Sequence, residues 1–320
     1  MTLESPHARG DASTVAGLRC LVVGGGGFIG RTVCAALTRS GACVTAFGRS
    51  VPEAGNDDVR WVLGDAGDDA ALAAVLERQD VAIHLVGTVD PERSNLDPLG
   101  DLAANAGSTI SLVKLARDAG VRRIVFASSG GTVYGPSLWE RIPESAPTNP
   151  ISAYGISKLA AEKYVAALGR LYEIEHRILR IANPYGPGQS HTRRQGLIGV
   201  AIGRALQSSV FEIWGDGSVV RDFVYVDDVA QAFVRAIAYD GPQIVFNVGS
   251  GVGISVRHAV EYIYEACGAD RSLISLRPGR AADVPRNVLA NDLIAGETGW
   301  RPLVSWPEGI ARTIAWMKTR

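Results

Sequence analysis

The chain has 320 residues, of which 47% are hydrophobic, enough to fill the core of one large α/β domain or of a domain with a smaller companion. Its 32 basic and 33 acidic side chains leave a formal net charge of −1, which gives no electrostatic reason to expect nucleic acid or an anionic membrane as partner. No apolar stretch reaches the ~18–20 residues of a membrane span.

Residues 1–17 are polar and aperiodic and read as a flexible N-terminal tail. An apolar strand over 18–23 runs into Gly24-Gly25-Gly26-Gly27-Phe28-Ile29-Gly30. An amphipathic helix follows to about Arg39, with Gly41 as its stop. Strands are predicted over 42–47 and 59–63, a helix over 69–78 and a strand over 81–86. A longer helix covers about 102–119 and ends at Gly120. A strand over 123–127, a helix over 156–171 and a strand over 175–181 complete the series. Nearly continuous apolar strands alternating with helices define a parallel sheet covered on both faces. With a glycine-rich first turn, the expected fold class is α/β, a doubly wound parallel sheet of Rossmann type over 18–182. After about Asn183, loops rich in Gly, Pro and Arg separate shorter elements. Residues 183–320 are expected to form mostly a smaller C-terminal substrate-binding lobe, interleaved with late additions to the sheet. Cys20, Cys34, Cys43 and Cys267 make no CxxC pair and read as buried thiols of a reducing cytosol. No His or Cys cluster has metal-ligand spacing.

The glycine spacing Gly24-x-x-Gly27-x-x-Gly30 suits a dinucleotide. Gly24 permits the tight turn off the strand, Gly27 lets the backbone approach a pyrophosphate, and Gly30 lets the helix pack closely on the strand. The helix start, at Phe28 and Ile29, then meets the phosphates with its N–H groups and positive dipole end. An acidic residue at the end of the second strand would hydrogen-bond the adenosine ribose of NAD. The chain has Phe47-Gly48-Arg49-Ser50 there, and Arg49 suits a 2′-phosphate, so the residues lean from NAD towards NADP. Asp65, after the third strand, is placed to meet the adenine amino group.

Tyr154 and Lys158 stand four apart at a helix start, so their side chains share one face. A lysine ammonium beside a phenol favours the phenolate and lowers its pKa, making the tyrosine a usable base. His84 lies inside an apolar strand and reads as a core histidine.

These motifs together resemble the extended short-chain dehydrogenase/reductase superfamily, in its nucleotide-sugar epimerase and dehydratase branch. The likeness runs from Leu18 to the C-terminus. It is carried by Gly24–Gly30, Ile83-His84-Leu85, Ser128–Gly135, Tyr154–Lys158, Arg180–Gly186, Arg221-Asp222-Phe223-Val224 and Gly299-Trp300-Arg301-Pro302. The resemblance implies that Ala66, Leu85, Val86 and Gly87 join the cofactor site. It also implies a third catalytic member, a Ser or Thr after the fifth strand. Ser129 is the choice, because Gly130 stands where many relatives carry the hydroxyl; Thr132 is the alternative and Ser128 reads as a strand-end residue. On the substrate side the resemblance implies contacts from Thr88, Thr132, Asn183, the helix start at Gly196 and Leu197, Trp214 against the base, an Arg221 and Arg280 diphosphate clamp, and Asp283 at a ribose. Two planar guanidinium forks suit a diphosphate.

The expected activity is 4-epimerisation of a UDP- or dTDP-hexose by transient oxidation at C4 with a bound nicotinamide cofactor. The alternative is a reductase of nucleotide 4-ketosugars that consumes NADPH; a non-catalytic dinucleotide-binding regulator is the third reading. Ser129-Gly130-Gly131-Thr132 lacks the Asp-Glu pair of the branch's dehydratases. A cytoplasmic homodimer, joined through the helices around 102–119 and 156–171, is what the family leads one to expect.

Overall fold

The computed structural model describes residues 12–52, 57–87, 91–190, 196–279 and 284–320. The first half alternates as expected: β1 (Arg19–Val23), α1 (Phe28–Arg39), β2 (Cys43–Gly48), β3 (Val59–Leu63), α2 (Asp69–Leu76), β4 (Val81–His84), α3 (Pro91–Leu96), α4 (Pro98–Leu102), α5 (Ser108–Asp118), β5 (Arg123–Ser129), α6 (Ala153–Leu171) and β6 (Glu175–Ile181). The second half contains β7 (Asn183–Tyr185), α7 (Leu197–Leu206), β8 (Phe211–Trp214), β9 (Val220–Tyr225), α8 (Val226–Ala238), β10 (Val245–Val248), β11 (Gly253–Ser255), α9 (Val256–Cys267), β12 (Ile274–Arg277), β13 (Arg286–Asn287), α10 (Asp292–Thr298) and α11 (Trp306–Met317).

Seven parallel strands form the main sheet in the order β10-β6-β5-β4-β1-β2-β3. Chain order reverses where β1 lies between β4 and β2, and the crevice beyond the carboxyl ends of β1 and β4 is where such sheets bind ligands. Every residue of Cys20–Val23 and Val81–His84 is buried, because a layer covers each face. One core lies under α1 and α8 and the other under α2, α5 and α6. The inner stripe of α1 is Gly30, Val33, Cys34 and Leu37, the spacing of a helix lying on a sheet. The late additions are β10, at the sheet edge beside β6, and α8, packed on α1. The lobe has its own core, built from Ile198, Ile202, Ile213, Phe223, Tyr264 and Ile310 among others. Its small sheet has the order β11-β9-β13, with β7 also paired to β9.

Three expectations need correction. Residues 12–17 are not a loose tail. Ala12–Val15 is a 3₁₀ turn, Val15 is fully buried, and Gly17 N–H bonds Gly41 O at 2.9 Å. The helix expected over 102–119 is a run from α4 to α5 interrupted by a π-helical turn at Ala103–Gly107. Such a turn tilts side chains away from the α-helical face, a recurrent feature of functional sites. Of the cysteines, Cys20 and Cys34 are buried, but Cys43 is exposed because it opens β2 with its side chain facing outward.

Candidate active site

The glycine loop is held against β2 by its backbone, with Gly24 N–H bonding Phe47 O at 2.7 Å. Gly24 has φ 91°, in the left-handed region that favours glycine at a tight turn. A β-carbon on Gly30 would lie 2.1 Å from Gly24 O, so only glycine lets α1 begin this close to β1. At Gly27 an added β-carbon would meet only Gly24 O, at 3.2 Å, which leaves its outer side open for approach. Gly27 caps α1 without a side-chain hydrogen bond, so no side chain of the cap fills the helix start. Bare backbone and an uncapped helix N-terminus fit the diphosphate of a dinucleotide. The spacing singled out three glycines, but Gly26 is equally constrained: a β-carbon there would sit 2.0 Å from Ser50 O.

Around this loop, Val86 approaches Gly24, its Cγ2 lying 3.2 Å from where a β-carbon on that glycine would stand. Ala66 is buried and Leu85, Val86 and Gly87 are half-buried. Arg49 is exposed just past the end of β2. Asp65 is exposed, and its Oδ1 accepts Gly67 N–H at 2.9 Å, a turn-forming role.

The start of α6 is fixed by three side chains. Ser152 accepts Gly155 N–H, Asn95 accepts Ala153 N–H at 2.9 Å and Ser94 accepts Tyr154 N–H at 3.2 Å. Tyr154 and Lys158 both point inward and are buried. The Ser129 side chain, at the end of β5, neighbours the Tyr154 phenol and lowers its pKa. Lys158 Nζ lies 4.4 Å from the Phe126 ring centroid, a cation–π contact. Gly87 keeps the neighbouring space clear: a β-carbon there would be 2.5 Å from Asn105 Oδ1 and 3.6 Å from Lys158 Nζ.

The electrostatics differ from the expectation in one respect. Burial pushes the Tyr154 phenol up to about 12, the Ser129 side chain pulls it down and the Asp101 charge pushes it up. Burial outweighs the lowering expected from the Lys158 ammonium, which sits over Phe126 and is itself desolvated. Burial pushes Lys158 down to about 8, against the raising effect of Glu162 and Asp101. His84 is a core histidine: burial and Lys158 push it down to about 3, and its Nε2 lies 3.1 Å from Thr109 Oγ1.

Of the hydroxyls of Ser128, Ser129 and Thr132, that of Ser129 is the one that acts on Tyr154. Ser128 donates to the buried Glu162 carboxylate, and Thr132 Oγ1 is buried without a hydrogen-bond partner among the described residues. Gly130 faces the core rather than the pocket.

Asn183 opens β7, and its Nδ2 donates to Asp222 O at 3.0 Å. Arg221 lies on the adjoining β9, where its Nη1 donates to Val284 O at 2.7 Å. Trp214 ends β8 facing outward, 46% exposed, while Phe211 and Ile213 point into the lobe. Gly196 caps α7 with φ 89° and Leu197 begins the helix. One amide of that helix is already taken, since Gly199 N–H donates to Gln189 Oε1 at 3.1 Å. Thr88, Arg280 and Asp283 lie outside the described residues. Sequence reasoning also passed over Asp101, Asn105 and Ser157, which form a buried polar cluster behind the catalytic helix. The signal for it was a polar pair four residues apart, Asp101 and Asn105, at the start of the helix expected over about 102–119.

The sheet, glycine loop and Ser129–Tyr154–Lys158 arrangement define a dinucleotide-dependent enzyme of the extended short-chain dehydrogenase/reductase class. Residues 20–249 match the model of the NAD dependent epimerase/dehydratase family, and the chain belongs to that family, in its nucleotide-sugar epimerase branch. It is 36% identical to a UDP-glucose 4-epimerase of Mycolicibacterium smegmatis, over 95% of this chain and 99% of the relative. It is 29% identical to a dTDP-4-dehydro-6-deoxyglucose reductase of Escherichia coli, over 92% and 96%. Its structure resembles that of UDP-glucose 4-epimerase with UDP-glucose from Thermotoga maritima, with a TM-score of 0.89, 31% identity, and coverage of 94% and 99%. No helix among the described residues is long and apolar enough to cross a membrane.

Proposed function

We propose that the chain is a nucleotide-sugar 4-epimerase acting on a UDP- or dTDP-hexose. The observation that carries this reading is the pairing of a buried Tyr154 phenol, whose pKa the Ser129 side chain lowers, with a buried Lys158 one helical turn on. A nicotinamide ring bound beside them supplies the hydride acceptor and donor for C4 of the sugar. Gly24, Gly27, Phe28, Ile29 and Gly30 would hold its diphosphate, with Ala66, Leu85, Val86 and Gly87 lining the site. Ser129 orients the C4 hydroxyl towards Tyr154, which takes its proton as phenolate and returns it after the 4-keto sugar turns over. Lys158 supplies the positive charge that favours the phenolate and holds the nicotinamide ribose. Burial excludes water from that exchange. Asn183, Arg221 and Arg280 take the diphosphate, Trp214 covers the base and Asp283 a ribose, with Thr88, Thr132, Gly196 and Leu197 completing the pocket. The loop Ser129-Gly130-Gly131-Thr132 carries no acid–base pair for a dehydration.

A second reading is a 4-ketosugar reductase that consumes NADPH. It is supported by Arg49, exposed where an acidic NAD ligand would stand, and by a neutral Tyr154 phenol, which is already the acid a ketone reduction needs. Incubation of purified protein with UDP- and dTDP-hexoses separates the two. Interconversion of C4 epimers without added reductant supports the epimerase; strict dependence on added NADPH overturns it. A homodimer joined through α5 and α6 is part of the proposal. Its support is exposed apolar surface within 102–119 and 156–171: Leu102 is 43% exposed, Ile156 54% and Leu171 70%. A monomeric mass by sedimentation equilibrium would refute it.

A further inference from the structure

Behind the catalytic helix lies a carboxylate that the reaction does not touch. Asp101 ends its burial at 4% exposure, in the last turn of α4 before the π-helical turn. Ser157 Oγ donates to Asp101 Oδ2 at 2.5 Å. Asn105 Nδ2 donates to Asp101 Oδ1 at 3.0 Å and approaches Ser157 Oγ at 3.2 Å. Ser157 sits between Tyr154 and Lys158 in the chain and also contacts Tyr154 O at 3.0 Å. The π turn is what brings Asn105 into this cluster, and Thr109 ties it down by donating to Asn105 O at 2.6 Å. A buried carboxylate is costly unless it is hydrogen-bonded and faces a cation. Here both conditions are met.

We propose that Asp101 is a positioning residue of the catalytic pair, fixing the inner face of α6 through Ser157 and supplying a buried negative charge that faces both Tyr154 and Lys158. The charged and titratable groups around Lys158 are few. Glu162 faces it from its own helix, Asp101 from α4, His84 from β4 in neutral form, and Tyr154 from the preceding turn. Phe126 of β5 adds an aromatic face. Asp101 raises the pKa of Lys158 by favouring its cation, and raises that of Tyr154 by opposing its anion. Removing the charge therefore moves both groups downward.

The proposal rests on Tyr154 and Lys158 being the catalytic pair, so its test includes a readout that needs no turnover. Asp101→Asn in the full chain keeps the side-chain shape and removes the charge. The phenolate absorbance of Tyr154, isolated as the difference from Tyr154→Phe in the same background, is expected to titrate about one pH unit lower. The alkaline limb of kcat should move in the same direction while KM stays unchanged. Unmoved absorbance overturns the proposal. Ser157→Ala, which leaves the carboxylate in place, should keep the Tyr154 midpoint where it is. A Ser157→Ala midpoint that falls as far as expected for Asp101→Asn would show that the hydroxyl contact alone sets the midpoint, and would overturn the role of the charge. A shifted absorbance in a chain that turns over no nucleotide sugar would leave Asp101 assigned and sink the reaction instead.

Discussion

A β-carbon on Gly130 would lie 2.5 Å from Cδ1 of Leu289, whose side chain is fully buried. The same β-carbon would be 3.1 Å from Arg180 O, so the backbone also resists. The position where the resemblance would place a hydroxyl is thus filled by the core. Gly130→Ser is expected to destabilise by about 1–3 kcal/mol through overpacking. It should not replace Ser129: a Ser129→Ala/Gly130→Ser double variant should stay as impaired as Ser129→Ala alone. Thermal unfolding and kcat of the three variants check both halves; recovery of kcat in the double variant contradicts the assignment.

Loss of the phenol should be the most severe single change to the reaction. Tyr154→Phe is expected to lower kcat by about 10²–10⁴-fold, with a smaller loss for Ser129→Ala. Lys158 is pushed down to about 8 by burial, so its ammonium loses the proton as pH rises through that value. The charge that favours the phenolate then disappears, and kcat should fall above about pH 8. In Lys158→Met this alkaline limb should vanish from a pH profile that is lower throughout. A limb unchanged in Lys158→Met would assign it to another group.

One turn after Lys158, Glu162 accepts from Arg180 Nη2 at 2.7 Å and from its Nε at 3.0 Å, and both side chains are at most 5% exposed. Burial works against the Arg180 cation, but the Glu162 hydrogen bonds and charge more than offset it and hold its pKa above the ordinary value. Glu162→Gln leaves that cation unpaired in the interior. The expected loss is about 3–5 kcal/mol of stability, measured by urea unfolding. A loss close to zero would mean that water reaches Arg180.

Gly26→Ala should be as damaging as Gly30→Ala, although Gly26 falls outside the Gly24-x-x-Gly27-x-x-Gly30 spacing. Its β-carbon would meet the Ser50 carbonyl, a backbone atom that cannot rotate away. The glycine loop would have to lift from the end of β2, and dinucleotide affinity by titration calorimetry should fall together with the melting temperature. Wild-type affinity in Gly26→Ala would show that the loop yields freely at this point.

Much of the molecule was legible in the linear chain because the physics there is local. Buried parallel strands are continuous apolar runs, so β1, β2 and β4 to β6 were placed to within a residue or two. The glycine turn and the i, i+4 pair Tyr154 and Lys158 follow from backbone sterics and helical pitch, and they point to the cofactor class and to the proposed catalytic face. What the tertiary structure decided depends on neighbours distant in sequence. It set Gly130 against Leu289 and left Ser129 to act on Tyr154. It set Gly26 against Ser50. It opened a π turn that carries Asn105 to Asp101 and Ser157. It also reversed the expected direction for Tyr154, because a phenol's pKa is governed by how much water the whole fold removes from it, and no spacing of residues reports that.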